Sequence, residues 1–171
     1  MERVVPAVDW RPPEPLRGGA EMAALRPFHF DCRWRGQVAA GGMGPGSPVM
    51  DAVGQGIFRP ILDGAWLAGD FEQDQFVAGE RLLTWKAHYV VGWDPRVGEY
   101  HVTYVDNAGN ASVLRGRIEG PRFIIESLAG EPVRLRMSWD LLEPGRVAWR
   151  NECSVAGGPW QLIEEYLCTP L

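Results

Sequence analysis

The feature that most constrains this chain is a two-residue rhythm of apolar side chains, broken roughly every ten residues by a turn. LTWKAHYVVGWD places Trp85, Ala87, Tyr89, Val91 and Trp93 on one face, with Lys86 and His88 on the other. DPRVG then turns the chain into EYHVTYVDN, where Tyr100, Val102, Tyr104 and Asp106 share a face. Alternation of this kind is the period of a half-buried strand, and two such runs around a short Pro/Gly segment predict a hairpin. The same rhythm starts at Phe28, with Phe28, Phe30, Cys32 and Trp34 facing one way and His29, Asp31, Arg33 and Arg35 the other.

Further strand-like runs fall at 49–59, 65–76, 110–118, 121–128, 132–140, 146–155 and 159–168. The segments EG, GEP, EPG and AGGP separate the later ones, and AAGGMGPGSP reads as a loop at a barrel mouth. Only GGAEMAALRPF departs from the pattern, predicting a short helix over 20–25 that Pro27 ends. About ten strands with no helices between them make an up-and-down meander, and a long meander removes its exposed edges by closing. The expected fold is all-β: a closed antiparallel barrel of about ten strands with one short N-terminal helix, the alternative being a two-sheet sandwich. Residues 1–19, rich in Pro and charge, are expected to form an extended arm, and 20–171 the barrel domain.

Charge and composition narrow the partners. The net charge is -5 with no basic cluster, which argues against nucleic acid. No run approaches the ~18 apolar residues of a membrane-spanning helix, and the first residues lack the apolar stretch of a signal peptide. Three cysteines without CxxC spacing suit reduced core thiols and a cytoplasmic location. His29, His88 and His101 fall on the more polar strand faces; His88 and His101 are the one candidate cross-strand pair, and solvated histidines are the simpler expectation. The sequence has no HExxH, GxSxG, GxxxxGK[ST] or strand-linked GxGxxG, so no metal or cofactor is expected. A small-molecule ligand is the expected partner, with a homodimer left open.

The order FHFDCRWRG, DGAWLAGDFE, HYVVGWDPRVGEYHVTYVDN and GPWQLIEEYL resembles a bacterial calycin-like family, domain of unknown function 1579, from about residue 25 onward. The match is most specific at Gly92, Trp93, Asp94 and Pro95, followed by Tyr100, Tyr104 and Asp106. Where the family has Gly-x-Trp in its first strand, this chain has Cys32, Arg33 and Trp34. The resemblance implies kinship with lipocalins, fatty-acid-binding proteins and nitrobindins, hence a closed barrel with a ligand cavity. It implies no activity.

Eight tryptophans on a barrel of this size suggest a stacking pocket for a flat apolar molecule, aromatic or polyene, although core packing alone also uses such rings. Strand parity nominates Trp66, Glu72, Trp85, Tyr89, Tyr100, Trp139, Trp149, Asn151 and Tyr166 as ligand-binding residues. Trp160 and Asp70 share those faces by the same count. Polar groups on apolar faces must be hydrogen-bonded or functional. Tyr104, Asp106 and Glu164 are accordingly the candidate catalytic set for a second reading, a cyclase or isomerase of a secondary metabolite. Haem bound through a histidine is a third.

Overall fold

A computed structural model of the chain describes residues 14–171. Of the expected arm, 1–13 lie outside the described residues and 14–19 carry no regular structure. One short helix, α1 (Ala20–Ala24), precedes ten strands: β1 (Cys32–Val38), β2 (Met50–Ile61), β3 (Trp66–Val77), β4 (Glu80–Asp94), β5 (Glu99–Asp106), β6 (Ala111–Glu119), β7 (Arg122–Ser127), β8 (Val133–Glu143), β9 (Arg146–Val155) and β10 (Gln161–Pro170). Each strand is antiparallel to its neighbour in sequence, and β1 pairs with β10 to close the barrel. No described helix is long and apolar enough to cross a membrane.

The two ends of the barrel differ. At one end α1 and the turn after it act as a plug: Leu25 is fully buried, Phe28 packs into the core, and the Tyr100 hydroxyl donates to the Glu21 carbonyl at 2.6 Å. The opposite end, ringed by the loop at 39–49 and the β5–β6 turn, stays open. Between them, glycines make room for large rings. Gly54 pairs with Trp34 across β1–β2, and a Cβ on Gly54 would lie 2.5 Å from the Trp34 ring. Gly36 likewise pairs with Tyr166, and a Cβ there would meet that ring at 2.6 Å.

Several expectations are corrected by the structure. The first strand begins at Cys32 rather than Phe28, because the amides of Phe28 and His29 both bond to the Leu25 carbonyl at 3.0 Å and continue the helix as a turn. Phe28 and His29 are therefore both buried, and His29 is not a solvated surface residue. On β3 the odd positions Phe71, Gln73 and Gln75 face inward, so Trp66, Asp70 and Glu72 face outward. The Trp66 ring lies across Gly92, while Glu72 is exposed and pairs with Lys86 at 3.2 Å. Trp160 also lies outside, beneath the guanidinium groups of Arg136 and Arg134, at 4.0 Å and 5.3 Å from its ring centre.

His88 and His101 face outward, as expected, but are not cross-strand partners. The register sets His88 opposite Val105 and His101 opposite Gly92, about 13 Å apart along the ladder at strand spacing. His88 contacts Asp70 at 2.6 Å, and His101 touches Arg115 and Asp94.

Candidate functional site

The barrel encloses a cavity of about 410 Å³ that opens at the mouth. Its walls are largely aromatic. Tyr166 lies between two tryptophans, stacked on Trp149 at 5.0 Å between ring centres and on Trp34 at 6.1 Å. Phe71 stacks on Tyr89 at 5.1 Å, and Trp85 on Tyr104 at 6.3 Å. Inward parity on β1, β3, β4, β5, β9 and β10 places these rings, and the mouth is lined by smaller residues such as Gly42, Ala108 and Ser112.

Of the residues nominated from sequence, Trp85, Tyr89, Trp139, Trp149, Asn151, Tyr166, Tyr104, Asp106 and Glu164 all line this cavity. Trp66, Glu72 and Tyr100 do not: the first two lie on the outer face of β3, and Tyr100 is spent holding the plug. The residues that sequence reasoning missed are Gln73 and Gln75, each 1% exposed and inward-facing. Glutamine beside Asp74 on a polar stretch looks solvated, and only the Phe71 ring two residues earlier marked that face as internal.

Two polar networks interrupt the aromatic wall. In the first, Trp34 Nε1 donates to Gln73 Oε1 at 2.8 Å, Gln73 Nε2 donates to the Tyr166 hydroxyl at 2.8 Å, and Tyr166 donates to Glu164. Asn151 Nδ2 adds a bond to Glu164 Oε1 at 3.2 Å. Burial pushes the Glu164 carboxyl above the usual carboxylate range, and the hydrogen bonds from Tyr166, Asn151 and Gln73 offset this only in part. Burial, then the adjacent Glu164, raise the Tyr166 phenol.

The second network centres on Asp106, which accepts from Trp85 Nε1, the Tyr104 hydroxyl, Asn110 Nδ2 and the amides of Ala108 and Asn110. Burial opposes its charge, but these bonds outweigh it and hold the carboxyl below its ordinary value. With its lone pairs engaged, Asp106 is a fixed anion that shapes the β5–β6 turn, a poor proton donor or acceptor. Tyr104 is raised by burial first and by Asp106 second, and the charge of Glu164 also reaches it. In the closed ring of strands β5 and β10 lie on opposite sides, so Asp106 and Glu164 line opposite walls of the cavity.

His29 sits beneath this space, its ring ringed by Phe58, Tyr89, Phe123 and Trp139 at 5.1 to 5.7 Å. Burial lowers it to about 3, so it is neutral, and none of the three histidines lines the cavity.

A family model for proteins of unknown function, DUF1579, matches residues 29–132, more than half of the chain. The chain belongs to that family. Among solved structures, Rv2717c from M. tuberculosis superposes on this DUF1579 barrel with a TM-score of 0.66 at 13% identity, over 90% of this chain and 99% of that one. At that identity the likeness speaks for the fold alone, a closed barrel. No curated protein matches.

Proposed function

We propose that this DUF1579 protein binds a small, largely apolar and flat molecule inside its barrel. The observation that carries the reading is the open cavity of about 410 Å³ walled by stacked aromatic rings. That volume falls within the ~300–1,000 Å³ of ligand pockets, and a barrel core built only for stability would fill it with side chains. Rings offer contact area at little rotamer cost, and the two polar networks supply a few fixed points for orientation. Unpaired Cys32, Cys153 and Cys168 favour a reducing compartment. Native mass spectrometry of the protein as isolated tests the reading: a bound small molecule is expected, released on denaturation. Failure of every flat apolar probe to bind the emptied protein would overturn it.

One observation favours a second reading, an isomerase or cyclase. Glu164 is a carboxyl of raised pKa, held by Tyr166 within the cavity, and such a group can pass a proton to or from carbon. Asp106 belongs to that reading only as a fixed charge. In deuterated water, turnover would place deuterium on the recovered ligand with the wild-type protein and not with Glu164→Gln, whereas binding alone leaves the ligand mass unchanged. Haem has no support from the cavity wall, which presents no histidine.

A further inference from the structure

Charge inside the cavity is one-sided. Glu164 and Asp106 both line it, and no Lys, Arg or His does so among the described residues. Every group bonded to these two carboxyls is a neutral donor: a phenol, an amide or an indole. Outside the cavity the partly buried Glu126 is matched with cations, accepting from Arg117 at 3.1 Å and Arg136 at 2.6 Å. A carboxyl that is only 7% exposed and faces no cation is costly unless it is neutralised by a proton or by what binds beside it.

A second set of observations has the same sign. The side-chain oxygens Asn151 Oδ1 and Gln75 Oε1 are buried without a partner, and both residues line the cavity. The Tyr89 hydroxyl, which can donate or accept, is a third buried polar atom without a partner on that wall. Both faces of Tyr166 are covered by Trp149 and Trp34, but Trp149, Trp85 and Tyr104 line the same cavity, and the negative quadrupole of an open ring face attracts positive charge. At longer range the net charge of -5 favours approach of cations over anions.

We propose that the molecule this barrel accepts is a cation, an organic amine or ammonium carried on a flat apolar body, with its positive charge seated beside Glu164 between the two stacked pairs. The proposal rests on the cavity-binding reading and adds the chemical class of the ligand. The ammonium supplies the positive charge that Glu164 lacks and holds that carboxyl ionised, while a body of fused rings or a conjugated chain fills the aromatic space. An anionic ligand of the same shape would meet two carboxyls with no cation to receive it.

Three probes with one apolar body separate the alternatives: 1-naphthylmethylamine, 1-naphthylmethanol and 1-naphthoate, titrated calorimetrically at neutral pH. The amine is expected to bind about tenfold more tightly than the alcohol, and the carboxylate most weakly. Glu164→Gln should close most of the gap between the amine and the alcohol. Equal or tighter binding of the alcohol or carboxylate by the wild-type protein overturns the cationic assignment and leaves the cavity reading standing. So does an amine preference that survives in folded Glu164→Gln. If none of the three binds, both readings fall. The wild-type ranking decides the matter even if the variant does not fold.

Discussion

Tyr166 shows how one hydroxyl can carry a buried network. It accepts from Gln73 and donates to Glu164, so Tyr166→Phe removes a donor from a buried carboxyl and an acceptor from a buried amide at once. The ring and its stacking on Trp149 survive, so the loss isolates the polar contribution. A stability decrease of about 1–3 kcal/mol is expected in urea denaturation. His29 predicts a pH effect. Its imidazole is lowered to about 3 by burial, against about 6.5 in the unfolded chain. Between these values the unfolded state binds a proton that the folded state refuses. The stability contributed by neutral His29 is therefore present above about pH 6.5 and lost as pH falls toward 3, at up to about 1.4 kcal/mol per pH unit. His29→Phe should flatten that part of the stability-pH curve relative to wild type, and parallel curves would show that His29 does not titrate in this way.

At the scale of the element, strands β1 and β2 are written around the rings they must accommodate. Gly54 gives its side-chain space to Trp34, and a Cβ there would also approach the Glu72 carbonyl at 2.6 Å. Gly56 is looser, with its nearest ring atoms at 3.2 Å. Gly54→Ala should therefore cost about 1–3 kcal/mol and displace the indole that bonds Gln73, visible as a shift in tryptophan emission. Gly56→Ala should cost less; equal losses would mean that the Trp34 ring is not the obstacle. Strand parity was legible for β4, β5 and β9, where one face is plainly more apolar; on β10 a register shift between Leu162 and Glu164 lets Glu164 and Tyr166 face inward while Trp160, of the same parity, lies outside. On β3 both faces mix apolar and polar residues, and the reading chose Trp66, Asp70 and Glu72 when the barrel turns Phe71, Gln73 and Gln75 inward. A one-residue error in parity exchanges a strand's whole inner and outer set, which is why Trp66 and Glu72 left the candidate site together.

At the scale of the molecule, closure makes the interior a single protected space. Cys32 and Cys168 are buried on its wall and Cys153 is half-buried, all three unpaired. Thiol titration should count three free groups in denaturant. In the native barrel Cys153 should react first, and Cys32 and Cys168, buried on the cavity wall, more slowly through the mouth; equally fast native reaction of all three would mean that those two are not buried. The number of strands, their turns, the short helix and the all-β class could be read from sequence by itself, because alternation and turn residues are local signals, whereas pairing of β1 with β10 in place of a two-sheet sandwich was settled by the tertiary structure. Tertiary structure alone decided that Trp34, Gln73, Tyr166, Glu164 and Asn151 form one network. Those residues come from β1, β3, β9 and β10, and their distance in space is set by barrel closure, a long-range property that no local pattern encodes. The same holds for His29, which alternation sent outward and the Leu25 turn buried, and for the one-sided charge of the cavity, which exists only once the inner faces of separate strands are brought together.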